Sequence, residues 1–355
     1  IGSITAGNSS SEYATSIYAI GRTNTVISTI SNNLIGSTVT ANSIQATSAS
    51  TANDQNIFGL RNTTGGTTIA SGNTIANLTN FTTNSNSGTY GITNGISANY
   101  GSTIVTNNTI YNLKNSNNNT ASSNAASVSG IAVASTNALN TISGNTIYGL
   151  SNINESFTGT VIGLYFGSTG MYTYTSHTVT ENFIHSLNVT GASASNASIY
   201  GIKINTGQTT YANNIISLGG NTPNTIYGMY EYGTQYNNNS IYFNTIYISG
   251  NLGAGVIKKS YALYSNVATN TRNIRNNIFV NARSTESGLN LHYAVYFNYS
   301  TNTNLTLNYN DYYVSGTGGV LGYYSNTNKT SIPIVTGQDA NSLNINPNLN
   351  SAGGT

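Results

Sequence analysis

Eight carboxylates, ten basic side chains and three histidines are the material from which this chain of 355 residues could assemble acid–base or metal chemistry. The acids are Glu12, Asp54, Glu155, Glu181, Glu231, Glu286, Asp311 and Asp339, each alone in sequence. Hydrolysis of a glycosidic bond needs two carboxylates flanking it, and lyase chemistry typically sets calcium-holding acids beside a Lys or Arg base. In the register derived below, no column holds two acids in adjacent repeats, so we expect no catalytic residues, metal site or cofactor. His177, His185 and His292 lie far apart without ligand spacing and read as surface or loop residues. Gly250-Asn-Leu-Gly253-Ala-Gly255 lacks the spacing of a phosphate loop and reads as a turn. Lys258, Lys259, Arg272, Arg275 and Arg283 form the one local basic concentration, which reads as solvated surface.

Aromatic residues carry the more regular pattern. Tyr165, Lys203, Tyr230, Tyr264, Tyr296 and Tyr324 each follow the inward aliphatic of a Tyr-(Gly/Ala)-(Ile/Leu)-Tyr segment. Tyr111, Tyr148, His185, Ile216, Tyr247, Phe279 and Tyr313 each follow the isoleucine of an Asn-x-Ile segment or its equivalent. If equivalent positions stack, these are two longitudinal stripes on the outside of the molecule. Flat aromatic strips suit sugar rings or protein packing; alternatively, loops fold over them or they are simply good strand residues.

The elements that would position such stripes are set by the repeat. Asn-x-Ile recurs nine times at intervals of 31 to 37 residues, starting at Asn42, Asn73, Asn108, Asn145, Asn182, Asn213, Asn244, Asn276 and Asn310, with Tyr312 replacing the last isoleucine. Each period also holds a second apolar segment, as in Tyr200-Gly-Ile202, Tyr227-Gly-Met229-Tyr230, Tyr261-Ala-Leu263-Tyr264 and Tyr293-Ala-Val295-Tyr296. Short β-branched and aromatic runs bounded by Asn, Gly and Ser predict strands, and nothing predicts a helix. Two strands per period without hairpin signals favour an all-β, right-handed parallel β-helix of about nine to ten coils over a propeller or sandwich.

Side chains two apart in a strand share a face, so each asparagine points inward with its isoleucine. Stacked once per coil, the nine asparagines are expected to form an amide ladder, each donating to one neighbour and accepting from the other. A leucine follows five residues after the asparagine in Leu78, Leu113, Leu150, Leu187 and Leu218. That odd offset predicts a corner or bulge at Asn77, Asn112, Gly149, Ser186 and Ser217.

Uniform composition and period predict one elongated repeat domain over residues 1–355, with 310–355 as closing coils and tail. Charged residues make up 5% of the chain and the net charge is +2, so no electrostatic footprint for nucleic acid exists. Stacking explains the deficit, because identical charges about 4.8 Å apart on successive coils would repel. The chain has no cysteine, which rules out disulfide staples and thiolate metal sites. No run of about 18 apolar residues could cross a bilayer, and the Ile1-Gly-Ser-Ile-Thr start lacks the character of a signal peptide. The sequence therefore reads as the interior of a longer precursor.

The C-terminal segment is more distinctive: Asn310-Asp-Tyr-Tyr313, Thr336-Gly-Gln-Asp-Ala-Asn-Ser-Leu343 and Asn346-Pro-Asn-Leu349, preceded by Asn276-Asn-Ile-Phe279. It resembles the closing coils of right-handed parallel β-helix repeats in large secreted surface proteins of Bacteroidota, similar in architecture to pectate lyases. Where that family more often has Asp-Pro with an aromatic, this chain has Asn346-Pro-Asn. The resemblance implies an extracellular or cell-surface stalk, adhesin or filament module and transfers no catalytic residue. The expected partners are other copies, reached by stacking of open coil ends, other surface proteins, or polysaccharide. A polysaccharide lyase or glycoside hydrolase is the alternative. Ice binding through Thr38-Val-Thr40 and Thr178-Val-Thr180 is a third reading.

Overall fold

The computed structural model describes residues 1–350 apart from 51, 83–90, 136–138, 168–176, 191–195, 234–237, 254–255, 287–288 and 290. The described elements are all strands, and all but Thr327–Lys329 pair in parallel with a counterpart one repeat away, so the chain winds as a parallel β-solenoid. The first sheet stacks the tyrosine segments from Ile17–Arg22 to Gly319–Tyr324. The third stacks the Asn-x-Ile segments from Leu34–Ile35 to Asp311–Val314.

Between them runs a second sheet, from Ser28–Ser31 to Leu305–Asn308, which the two-segment reading of the repeat does not contain. Its strands, such as Asn140–Ser143 and His177–Thr180, are Thr- and Ser-rich with a single inward aliphatic, Ile142 or Val179. A fourth side starts at Ile4–Asn8 and stops at Asn188–Val189, then resumes as the pair Asn251–Leu252 and Ser284–Thr285. Strands occupy all four sides in the turns opening at Ile17, Asn56, Ile92, Val128, Thr160, Thr225 and Ser260. That gives about seven complete turns, slightly fewer than the nine to ten coils expected.

Equivalent side chains stack in register. Ile110, Ile147, Ile184, Ile216, Ile246, Phe279 and Tyr312 pair one to the next along the third sheet and are fully buried. Facing them across the core are the small residues of the first sheet. A Cβ on Gly163 would lie 2.5 Å from Ile184 Cγ2 and 2.7 Å from the Gly201 carbonyl oxygen. The two turns with Ala262 and Ala294 carry Phe279 and Tyr312 in place of the isoleucine. A planar ring has no γ-methyl, which leaves room for the alanine Cβ. Small residue and facing side chain are thus matched from Gly59 to Ala294, as close packing requires, while the first turn sets Ala19 with Ile35.

The amide ladder forms, with three of its members corrected. It runs through Asn33, Asn73, Asn108, Asn145, Asn182, Asn214, Asn244, Asn277 and Asn310, and each Nδ2 donates to the Oδ1 of the next at 2.9 Å. The same Oδ1 also accepts the preceding asparagine's backbone N–H, at 3.1 Å for Asn145 to Asn182. A second Nδ2 proton goes to a carbonyl of the second sheet, as from Asn145 to Val105 at 3.0 Å. Donors and acceptor of each interior amide are therefore satisfied inside the rod.

Asn42, Asn213 and Asn276 stand outside the ladder, at φ of 53°, 55° and 58°. Asn213 and Asn276 are each the first of an Asn-Asn pair, occupying an exposed left-handed corner while the second residue turns in. Asn42 accepts from Thr79 Oγ1 at 2.7 Å on the fourth side, and the ladder member of that turn is Asn33, of Asn33-Leu-Ile35. The bend after the third sheet lies at Asn77, Asn112, Gly149 and Ser186, all with positive φ. Ser217 does not bend, because Leu218 lies four residues after Asn214 and stays in the strand Ile215–Leu218.

The C-terminal end of the solenoid is covered, which corrects the expectation of open coil ends there. After Gly319–Tyr324 the chain reverses into Thr327–Lys329, an antiparallel edge, and Ile334 and Val335 then enter the core. The Asp339 carboxylate accepts from Tyr312 Oη at 2.8 Å, Ser342 Oγ at 2.8 Å and the Ile334 N–H at 3.0 Å. The N–H of Asn310, last in the ladder, donates to Ser342 Oγ at 3.2 Å. A serine thus replaces the missing tenth amide.

Candidate functional site

The first sheet's outer face is the most organised surface of the rod. The segments Thr225–Glu231, Ser260–Ser265 and His292–Phe297 each set two tyrosines on the outer side, one on either side of the Gly/Ala kink, because the kink keeps both the small residue and the following aliphatic inside. Tyr200, Tyr227, Tyr261 and Tyr293 form one column, with centroids 4.7, 5.0 and 5.6 Å apart and planes within 12° of parallel. Tyr230, Tyr264, Tyr296 and Tyr323 form the other, at 5.1, 5.1 and 4.2 Å. Across the columns the rings meet edge to face, as in Tyr227 with Tyr230 at 5.0 Å and Tyr261 with Tyr296 at 5.2 Å. Offset-stacked and edge-to-face pairs are each worth about 0.5–1.5 kcal/mol beyond the area they bury.

This herringbone changes what the stripe can do. Rings inside the second column have a neighbour on both faces, so Tyr264 and Tyr296 present edges rather than flat platforms. Burial raises the phenol pKa of the first column, with neighbouring phenols adding to the effect: Tyr200 is pushed up to about 12 and Tyr227 and Tyr261 are raised further. The hydroxyls therefore stay protonated at neutral pH.

Two assignments within the stripes are corrected. Tyr324 is buried in the core, with Oη donating to the Ser300 carbonyl at 3.0 Å. The stripe's member in that turn is Tyr323, because Gly322 pairs with Val295 and so shifts the outward position by one residue. Phe279 and Ile216 are inward, a consequence of the shifted frame at the Asn-Asn pairs. On the third sheet Tyr111, Tyr148 and His185 do stack, at 4.9 Å each, and the column then stops at Ser217. Tyr247 and Tyr313 are half-buried, separated from each other by Val280.

Among the ice-reading residues, Thr178–Thr180 lie in a strand beside Thr141 and Thr210, whereas Thr38–Thr40 lie outside any strand and are exposed.

Several ionisable residues read as surface are interior. His177 Nδ1 accepts the Asn140 N–H at 3.2 Å, His292 Nδ1 meets Ser260 Oγ at 2.9 Å, and burial pulls both imidazoles down to about 4. Arg272 is fully buried and donates to the carbonyls of Val267, Ala268, Asn270 and Thr303. Arg283, also fully buried, donates to Thr222 and Asn224. Glu231 is fully buried, accepting from Asn239 Nδ2 at 2.7 Å and Ser265 Oγ. Its pKa is raised by burial against the opposing effect of those bonds and of Arg272. Arg272 and Arg283 bridge loops to the coil, whereas His177, His292 and Glu231 bond to residues at the ends of neighbouring strands; the sequence signal for all five is only that each sits at or beside a strand end.

One break in the tyrosine face is distinctive. Lys203 occupies the layer between Tyr165 and Tyr230. Its Nζ lies 4.6 Å from the Tyr200 ring centroid and 5.6 Å from that of Tyr230, and donates to the Ser122 carbonyl. A pocket of about 420 Å³ opens there, lined by Tyr165, Lys203, Asn205, Tyr230, Tyr232 and Ser122 among others. Searches of protein-family models, curated proteins and solved structures found no match to this chain.

Proposed function

We propose that this chain is a non-enzymatic extracellular module, a surface stalk or adhesin whose rod displays the tyrosine face to polysaccharide or to other surface proteins. Its origin would be a large secreted protein of the Bacteroidota type, whose closing coils the C-terminal segment resembles. The observation that carries this reading is the unbroken register of the tyrosine face over five successive turns, from Tyr200 to Tyr323. A regular double row of rings, buried at Tyr200, Tyr261 and Tyr293 and half-buried at Tyr227, Tyr230, Tyr264, Tyr296 and Tyr323, repeats about every 4.8 Å and offers a long contact surface. The interior carboxylates support the same reading: Glu231 and Asp339 are engaged in holding a loop and the terminal cap.

Head-to-tail stacking through the C-terminal end is not part of the proposal, because that end is covered. The test is incubation with a panel of polysaccharides, scored for retention and for new reducing ends, alongside the Y264A/Y296A double variant. Retention that falls in the folded variant supports the reading. New reducing ends, or retention indifferent to both tyrosines, would refute it.

A further inference from the structure

Lys203 interrupts a column that carries rings at Tyr165 and from Tyr230 to Tyr323. Its side chain leans over Tyr200 of the neighbouring column, with Nζ also 5.6 Å from the Tyr230 centroid, and the pocket opens beside it at Tyr165 and Tyr230. Those two tyrosines are two layers apart, about 10 Å at the spacing of stacked strands. A gap of that size is one ring deep.

The charge in the gap is also incomplete. Lys203 is 8% exposed, and an ammonium carries three donors, of which one meets the Ser122 carbonyl. The other buried cations are treated differently: Arg22 bonds to Asn62 and to the carbonyls of Val26, Thr64 and Gly65, Arg272 makes four bonds to backbone carbonyls and Arg283 three to Thr222 and Asn224. Burial alone lowers the Lys203 pKa, to about 8, with no carboxylate opposing it. Buried charges are ordinarily paired, so a cation held against two aromatic rings and one carbonyl is short of an anion.

We propose that this pocket binds one acidic sugar residue, its carboxylate on the Lys203 ammonium and its ring between Tyr165 and Tyr230. Asn205, half-buried at the pocket, supplies an amide for a ring hydroxyl. A volume of about 420 Å³ has room for a pyranose with bridging water. The inference rests on the carbohydrate-contact reading and names its most selective point: the tyrosine edges would follow a chain, and Lys203 would select a charged residue on it.

The test is titration of the whole chain with methyl β-D-glucuronide, methyl β-D-glucoside and acetate, followed by calorimetry and by amide shifts. Glucuronide is expected to bind at least about tenfold tighter than either other probe, with shifts at Asn205 and Tyr230 and none at Tyr296. K203M should bring glucuronide down to the level of glucoside, and K203R should restore part of the difference. Equal binding of glucuronide and glucoside to the natural chain, binding of acetate as tight as glucuronide, or shifts that avoid Asn205 would overturn the proposal without recourse to any variant.

The two readings separate cleanly. If Y264A/Y296A loses polysaccharide while K203M leaves glucuronide binding unchanged, the contact face stands and the pocket falls. If K203M abolishes glucuronide binding while Y264A/Y296A retains every polysaccharide, the pocket stands alone.

Discussion

Replacing Asn214 by alanine should destabilise the rod severely, while the same change at Asn213, one residue earlier, should be mild. The Asn214 side chain accepts the Asn182 N–H at 3.1 Å and Asn182 Nδ2 at 2.9 Å, and donates to Val179 O and Asn244 Oδ1 at 2.9 Å. Alanine would orphan two buried donors of Asn182 and strip one bond from the Val179 carbonyl. At about 1–3 kcal/mol per buried unsatisfied group, the two donors alone cost about 2–6 kcal/mol. Asn213 is exposed at φ 55°, so alanine there forfeits only asparagine's tolerance of the left-handed region, about 1 kcal/mol. N213G should be close to neutral. Urea unfolding followed by far-ultraviolet circular dichroism reads both, provided the slope is unchanged between variants. Hydrogen exchange on the flanking turns guards against loss of cooperativity in a repeat array. Equal shifts for the two variants, or a larger one for N213A, would refute the placement of the ladder.

Three further outcomes follow from the same packing. G163A should lower the thermal midpoint, by about 1–3 kcal/mol of overpacking against Ile184, whereas A262G, facing Phe279, should cost no more than about 1 kcal/mol. His177 and His292 have folded pKa values depressed to about 4, so the unfolded chain binds more protons between that value and about 6.5. Their contribution to stability is therefore complete above pH about 6.5 and is lost as pH falls through about 4, which thermal melts across that window should register and H177N/H292N should flatten. Deleting residues 332–355 removes Ile334 and Val335 from the core and uncovers the last strands. The unfolding free energy should drop by about 3–6 kcal/mol, and sedimentation should detect concentration-dependent association through the newly bare edges.

How far the structure could be read beforehand depends on which residues carried the period. Ile147, Ile184 and Ile246 each follow a single asparagine, and Ile110 follows Asn107-Asn108 with only Asn108 in the Asn-x-Ile frame, so there the frame, the inward face and the bend at Asn112, Gly149 or Ser186 all follow from alternation. Asn213-Asn214 and Asn276-Asn277 offer two frames. The exposed Ile215 and the buried Ile216 decide between them only once the stacked partners are known. That single slip sent Phe279 and Ile216 to the wrong face.

Tyr323 and Tyr324 were indistinguishable for a similar reason: Gly322 stands where other turns place an aliphatic, so no local apolar residue marks the register. Asn33-Leu-Ile35 was legible as a match to the repeat, but its neighbour Asn42-Ser-Ile44 matched equally well and lies nearer the usual spacing from Asn73. The second sheet escaped because one aliphatic per strand, Ile142 or Val179, leaves no alternating pattern. The burial of Arg272 and Arg283 escaped because a loop that takes up a side chain leaves no trace in a periodic pattern, and that of Glu231 and His292 because their partners Asn239, Ser265 and Ser260 lie at strand ends whose stacking is not marked locally.

The central claim is that successive turns lie in register with one asparagine amide bonded to the next. Residue-resolved hydrogen exchange of asparagine side chains, on chain labelled with nitrogen-15 at asparagine, tests it most directly. The Nδ2 protons of Asn108, Asn145, Asn182, Asn214, Asn244 and Asn277 should exchange slowly, with contacts from each amide to the next in nuclear Overhauser spectra, while those of Asn213 and Asn276 exchange at solvent-exposed rates. Rapid exchange at the six interior amides, or protection at Asn213 and Asn276 in their place, would contradict the account.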